Sequence, residues 1–199
     1  MKKPIAELKR DIEFRASLQG HDFLFHTTWG LFSPQHIDEG TAMLIDAIHI
    51  PADAVVADIG CGYGAIGLAI AKQAPSGVVH MVDKDFVAVE YAQKNAKLNS
   101  ISNVEVYLSN GFSRVPKTQF DIVVSNLPAK AEREMYDILF DDARRYLKPG
   151  GILYDVTISG LREFIKKNFL EVFGNYTKEK QGKTYTVASA VKAPLLDSH

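Results

Sequence analysis

Apolar residues fall into short, bounded runs along most of this chain, and the runs alternate between two spacings. Val55-Val56-Ala57, Val78-Val79-His80-Met81-Val82 and Phe120-Asp-Ile-Val-Val-Ser125 are short, rich in β-branched residues and closed by turn residues. Strands buried on both faces read this way. Between them apolar positions recur every three or four residues, with Phe86, Val89, Ala92 and Ala96 on one helical face. The pattern predicts strands over 55–59, 78–83, 104–108, 120–125 and 152–157, and helices over 64–73, 85–98 and roughly 131–147. The turn Lys148-Pro-Gly-Gly151 stops the last helix. The tail predicts a helix near 160–173, then strands around 175–180 and 184–191 separated by Gly182. Upstream, Asp38 is placed to cap a helix through Met43, Leu44, Ile45 and Ile48 that ends before Pro51. Residues 1 to about 20 carry Ile5, Leu8, Ile12 and Phe14 at helical spacing up to Gly20. The aromatic segment from Asp22 to Phe32, broken at Gly30, predicts a short hairpin.

Strands and helices in alternation imply an α/β fold. The expected architecture is a doubly wound, mostly parallel seven-stranded sheet with ligands at the strands' carboxyl ends, its terminal hairpin supplying one antiparallel strand. One domain over 1–199 is expected, with an N-terminal helix and hairpin extension (1–50) packed on a cofactor-binding core (51–192).

Composition narrows the function classes. With 199 residues and 46% hydrophobic content the chain can bury one ordinary core. A net charge of −1 gives no global basic field for nucleic acid, and basic pairs such as Arg144-Arg145 and Lys166-Lys167 read as solvated helix faces. Cys61 is the single cysteine, which excludes a disulfide framework and a thiolate metal site. The six histidines show no metal-ligand spacing, and His21 and His26 read as surface residues of the hairpin. No metal is expected. No apolar run approaches the ~18 residues of a membrane span and no signal peptide is evident, so a soluble cytoplasmic protein is expected.

The chemistry begins where the first predicted core strand ends. Asp58-Ile59-Gly60-Cys61-Gly62-Tyr63-Gly64 sets an acid and alternating glycines after a buried strand. Glycines there allow unusual backbone angles and let a ligand approach the main chain. Gly62-x-Gly64-x-x-Gly67 also matches the dinucleotide pattern, and Asp83 lies where a ribose-binding acid belongs. Asp58, at the strand tip, would repel a pyrophosphate but attract the ammonium and sulfonium of S-adenosylmethionine, which is therefore the expected cofactor. Cys61 reads as a small filler of the turn rather than a nucleophile.

A second motif follows the strand over 120–125: Ser125-Asn126-Leu127-Pro128-Ala129, opposite the glycine turn. A conjugated exocyclic amine is a poor nucleophile because its lone pair is delocalised. Two acceptors, the Asn126 side-chain oxygen and the Leu127 carbonyl, would draw it toward tetrahedral geometry and aim it at a methyl carbon. Pro128 restricts Leu127 to extended angles and so fixes that carbonyl. One strand over, the Asn110 amide beside Gly111 suits an adenine edge.

With these residues in place the chain resembles class I S-adenosylmethionine-dependent methyltransferases. More narrowly, it resembles the small-domain group that holds the RsmC-type ribosomal RNA guanine-N2 methyltransferases and their single-domain archaeal relatives. The resemblance runs over nearly the whole chain. Gly30-Leu31-Phe32-Ser33 and Asp38-x-Gly40-Thr41 match the group's segment ahead of the cofactor domain, Asp58 to Gly64 its first motif, Asp83 and Lys84 its ribose position, and Asn126-Leu127-Pro128 its catalytic tetrapeptide. The resemblance implies a Rossmann-like N-methyltransferase acting on an exocyclic base amine of RNA, guanine N2 of ribosomal RNA foremost. It implies cofactor contacts from Phe32, Asp58, Ile59, Gly60, Cys61, Gly62, Gly64, Asp83, Lys84, Asn110, Gly111 and Asn126. Two departures stand out. Leu127 replaces the usual proline, and Ala129 replaces the aromatic that stacks on the target base, leaving Trp29 or Phe32 to supply that contact. A protein glutamine amide or a small amine as substrate, and a cofactor-binding interaction module without turnover, remain alternatives.

Overall fold

The computed structural model of the protein describes residues 10–117, 119–127 and 133–194. Strands β3 (Val55–Ile59), β4 (Val78–Asp83), β5 (Val104–Leu108), β6 (Phe120–Ser125), β7 (Leu147–Ile158), β8 (Thr177–Gln181) and β9 (Tyr185–Val191) form one sheet in the order β5-β4-β3-β6-β7-β9-β8. The first five are mutually parallel, and β9 runs antiparallel to both β7 and β8. The chain order reverses between β3 and β6, and the switch point of an open parallel sheet is where a crevice opens beyond the strand ends.

The strands partition the core by simple alternation. Val56, Val79, Met81 and Val124 face α1 (Glu39–Ala47), α2 (Ala65–Gln73) and α3 (Phe86–Leu98). Ala57, Val82, Val123 and Leu153 face α4 (Arg133–Tyr146) and α5 (Arg162–Phe173). Each face buries its own apolar cluster, so β3 and β6 read as near-continuous apolar runs. The expected core strands and helices form within a residue or two of their predicted ends, except that β7 begins at Leu147. There the Lys148-Pro-Gly-Gly151 turn is a bulge, with the register jumping from Phe120↔Leu147 to Ile122↔Ile152. As expected, the terminal hairpin contributes a single antiparallel strand, β9.

The N-terminal expectation is corrected. No helix forms over the described part of residues 1–20: Ile12–Leu18 is strand β1, paired antiparallel with β2 (His21–Thr27). Ile12, Phe14, Ala16 and Leu18 also fall at period two, and that spacing wins because Phe14 packs its ring against Phe25 and Tyr63. The hairpin thus lies upstream of its predicted place. Its two-residue turn is Gln19-Gly20, both at positive φ (49° and 78°), the arrangement that matches strand twist. Ile5 and Leu8 lie outside the described residues.

Two asparagines on α3 dock this hairpin. Asn99 accepts from Leu24 N–H and donates to Leu24 C=O, both at 2.9 Å, and Asn95 pairs with His26 N–H at 2.8 Å and His26 C=O at 2.9 Å. Four residues apart on one helix face, the carboxamides imitate a neighbouring strand and cover the β2 edge. Asn95 also donates to Tyr63 C=O at 2.9 Å, tying the hairpin to the glycine turn. His26 is not the free surface group expected: its Nδ1 lies 2.9 Å from Asp11.

Candidate active site

The glycine turn begins where β3 ends. Gly60, Gly62 and Gly64 hold φ of 78°, 56° and 98°, angles that any residue with a Cβ adopts only under strain. The Gly60 and Cys61 N–H groups both donate to Val82 C=O, at 2.8 and 2.9 Å, and Gly62 N–H donates to Asp83 Oδ2 at 2.9 Å, so the end of β4 fixes the turn. A Cβ on Gly62 would meet no protein atom within 4 Å, and one on Gly60 only Leu127 Cδ2 at 3.9 Å. Both line the cleft, with Ile59 and Cys61. That side is left open to a ligand.

Two of the expected cofactor residues have another task. Gly64 lies outside the cleft lining; a Cβ there would sit 2.8 Å from Met81 Cε, and one on Gly67 would sit 2.8 Å from Met81 Sδ. These glycines let α2 pack closely on β4. Asp58 is also outside the lining and only 1% exposed. Its Oδ2 accepts from Gly67 N–H at 2.8 Å, so it holds the first turn of α2 rather than facing a bound cation. Burial, reinforced by nearby Asp83 and offset in part by the Gly67 bond, pushes its carboxyl up to about 7. The other Asp58 oxygen, Oδ1, is buried with no hydrogen-bond partner among the described residues.

Asp83 is placed as expected. Its Oδ2 takes Gly62 N–H and its Oδ1 takes Asp85 N–H at 2.9 Å, which leaves lone pairs on both oxygens for a diol. Lys84, Asn110 and Gly111 line the same half of the cleft. Ser109 shapes the loop around them: its hydroxyl donates to Gly111 C=O at 2.7 Å and accepts Arg114 N–H at 3.1 Å. Phe112, stacked on Tyr146 at 4.7 Å, forms an apolar wall that sequence reasoning did not find. Cys61 is buried and its thiol pushed well up by that burial, which supports filler over nucleophile.

Across the cleft Asn126 and Leu127 extend from the tip of β6. Asn126 Nδ2 donates to Thr41 Oγ1 at 2.9 Å, and among the described residues Oδ1 accepts no hydrogen bond. Phe32 lines the cleft at 56% exposure, carried on a loop with left-handed backbone at Gly30 and Ser33. Trp29 is 43% exposed and lies outside the cleft lining. Pro128 and Ala129 lie outside the described residues.

The cleft encloses about 740 Å³. Its second half is completed by Met135, Ile138, Leu139 and Asp142, one face of α4 at spacings of three, four and seven, with Ile158 and Tyr185. The heptad-like spacing on α4 was the available signal, although nothing distinguished a cleft-facing stripe from a core-facing one. Charged groups in the lining are Asp83, Asp85, Asp142 and Lys84. Among the described residues no group of three or more His, Cys, Asp or Glu could hold a metal, and no helix is long and apolar enough to cross a membrane.

Behind Asn126 lies a buried polar cluster. Ser125 and Asp155 are paired in register across β6 and β7, Thr157 follows on the same face of β7, and Tyr136 of α4 covers them. Burial pushes the Asp155 carboxyl well up.

Comparison with known proteins agrees with this geometry. The family described as "Methyltransferase small domain" matches residues 22–189. The chain is 33% identical over 195 residues to the uncharacterized protein YbxB of Bacillus subtilis (strain 168), covering 96% of each. It is 28% identical over 196 residues to ribosomal RNA large subunit methyltransferase G of Yersinia pestis (strain Pestoides F), covering 95% of this chain and 49% of that protein. Among solved structures, the T. thermophilus 16S rRNA N2 G1207 methyltransferase RsmC, in complex with AdoMet and guanosine, superposes with a TM-score of 0.82 at 25% identity. That match covers 92% of this chain and 50% of RsmC. The chain therefore spans about half the length of these two ribosomal RNA enzymes. An open-sided glycine turn, a ribose-ready carboxylate and an asparagine facing them across one cleft agree with the sequence match, and the chain belongs to the methyltransferase small-domain family, as an enzyme that uses S-adenosylmethionine.

Proposed function

We propose that this enzyme methylates an exocyclic amine of an RNA base, with guanine N2 of ribosomal RNA as the foremost target. The observation that carries the reading is Asn126: one of its amide N–H groups is held by Thr41, and its oxygen is left to accept from an amine in the cleft.

The residues present fit the cofactor. Gly60 and Gly62 offer main chain without obstruction, Asp83 offers lone pairs to ribose hydroxyls, and Asn110, Gly111 and Phe112 make a polar edge and flat wall for adenine. Bound there, S-adenosylmethionine supplies an electrophilic methyl group on a sulfonium. Asn126 Oδ1 accepts one N–H of the target amine and the Leu127 carbonyl accepts the other, which localises the nitrogen lone pair and aims it across the cleft. Leu127, Met135, Ile138 and Phe32 present an apolar substrate half that excludes water around a flat neutral base. No basic side chain lines this half among the described residues. The relatives that modify ribosomal RNA support the choice of RNA, and the RsmC complex with guanosine supports guanine N2.

A second reading, a protein glutamine amide or small amine as acceptor, is favoured by Asp142, the one charged group of the substrate half among the described residues. Labelled S-adenosylmethionine incubated with total RNA from undermethylated cells tests the choice. RNA should take up label, and Asn126→Ala should lose about 100-fold or more in turnover, the scale of removing one preorganised polar contact, while calorimetry finds cofactor affinity unchanged. Label in protein or small amines but not RNA would support the second reading, and label nowhere would support an interaction module without turnover.

A further inference from the structure

Asn126 is oriented from outside the sheet. Its partner Thr41 is 85 residues away in sequence, in the first turn of α1. Asp38 caps that helix, its Oδ2 accepting Thr41 N–H at 3.1 Å, and Tyr185 of β9 donates its hydroxyl to Asp38 Oδ1 at 3.0 Å. Gly40 lets Tyr185 lie against the helix: a Cβ there would fall 2.8 Å from Tyr185 Cδ1 and 2.9 Å from Asp38 Oδ2. Asp38, Gly40 and Thr41 are thus one fixture. The acid caps and anchors the helix, the glycine admits the anchor's ring, and the threonine reaches the amide at the tip of β6.

We propose that Thr41 is a positioning residue for methyl transfer, given Asn126 as the acceptor for the target amine. A carboxamide is almost symmetric in shape, and rotating it by half a turn exchanges its oxygen for its NH2 group. In the wrong orientation two N–H donors would confront an amine that also donates, and the amine would be pushed away. By accepting the Asn126 N–H, the Thr41 hydroxyl restrains the amide against rotation in the orientation that turns Oδ1 away from Thr41. Thr41 is 6% exposed, and the contact sits part-buried at the wall of the cleft that both residues line.

The test separates orientation from binding and folding. In 15N-labelled protein the Asn126 side-chain amide is assigned by its disappearance in Asn126→Asp. Its protons should exchange slowly with solvent in the wild type and in Thr41→Ser. In Thr41→Val, which keeps the shape without the acceptor, exchange should be about tenfold faster, as expected for an amide released from a buried bond. Turnover of RNA by Thr41→Val should fall about 10- to 100-fold, the range for a misplaced reacting group. Thr41→Ser should restore it, with cofactor affinity by calorimetry and melting temperature unchanged throughout. Unchanged amide exchange in Thr41→Val, or a loss of turnover that tracks cofactor affinity or is not restored by serine, would overturn the proposal. Should Thr41→Val fail to fold, Thr41→Ala replaces it with the same expectations. If wild-type protein labels no RNA, the substrate assignment fails, while the amide exchange still decides the Thr41 contact.

Discussion

At the residue scale, Asp58 is the group whose role changed most between sequence and structure. Its position at the tip of β3 suggested an electrostatic contact with a cation; among the described residues its one hydrogen bond is to Gly67 N–H, and it is almost wholly buried. A scaffolding acid and a charge-selecting acid respond differently to neutralisation. Asp58→Asn keeps an oxygen for Gly67, so cofactor affinity should stay within about threefold of wild type, whereas Asp58→Ala leaves a buried N–H unpaired, at about 1–3 kcal/mol. Calorimetric titration of both variants with S-adenosylmethionine decides between the roles; a large loss of affinity in Asp58→Asn would restore the charge contact. The pH dependence has a definite sign. A carboxyl raised from its ordinary value to about 7 by folding binds its proton more tightly in the native state. The native state is therefore favoured below the ordinary carboxylate range, and that advantage fades as pH climbs toward 7. Melting temperature should fall over pH 4 to 7, and Asp58→Asn should flatten that part of the profile.

At the element scale, the parallel strands were legible because their apolar runs are short, β-branched and buried on both faces. β3, β4 and β6 carry that signature, broken only by His80 within β4 and Asp121 within β6 and closed by an acid or Ser near each carboxyl end. Strand β1 was not legible, since Ile12 and Phe14 satisfy a helical and a strand spacing together and only contact with Phe25 and Tyr63 decides. What docks the hairpin was equally hidden. Asn95 and Asn99 look like ordinary polar positions of a helix, and their pairing with the β2 backbone exists only once the chain has folded. Asn95 satisfies three backbone groups from a fully buried site. Its replacement by alanine should cost about 3 kcal/mol or more, several times the net value of one ordinary hydrogen bond, because buried groups lose their partners. Asn99→Ala leaves the His26 pairing intact and should cost less. Urea unfolding of the two variants, read with amide exchange of Leu24 and His26, checks both the order and its origin. Equal, small effects would show that hydrophobic packing alone docks the hairpin.

At the scale of the whole molecule, the cofactor half of the cleft comes from consecutive loops after β3, β4 and β5, and most of it could be named from the sequence. Of the substrate half, Phe32 and Asn126 were named from their motifs, but the Met135 and Ile138 face of α4 and Tyr185 of β9 were not, because only the fold brings these distant segments together. That division bears on how the enzyme manages with alanine at position 129, where an aromatic was expected. Phe32 is a large exposed side chain on the cleft rim, held out by a loop with two left-handed residues, and little of its surface is spent on the core. A ring so placed is available to stack on a base that enters the cleft, a contact worth about 1–3 kcal/mol, or roughly 5- to 150-fold in binding. Phe32→Ala should therefore raise the KM for RNA by a factor in that range and leave the melting temperature near wild type. Trp29→Ala, outside the lining, should change KM far less. Steady-state kinetics on undermethylated ribosomal RNA distinguishes them, and a larger effect at Trp29 would move the stacking surface from the cleft rim to the adjoining loop. If Phe32→Ala instead weakens S-adenosylmethionine binding with KM for RNA unchanged, the ring covers the cofactor, and Met135 and Ile138 become the surface on which the base must rest.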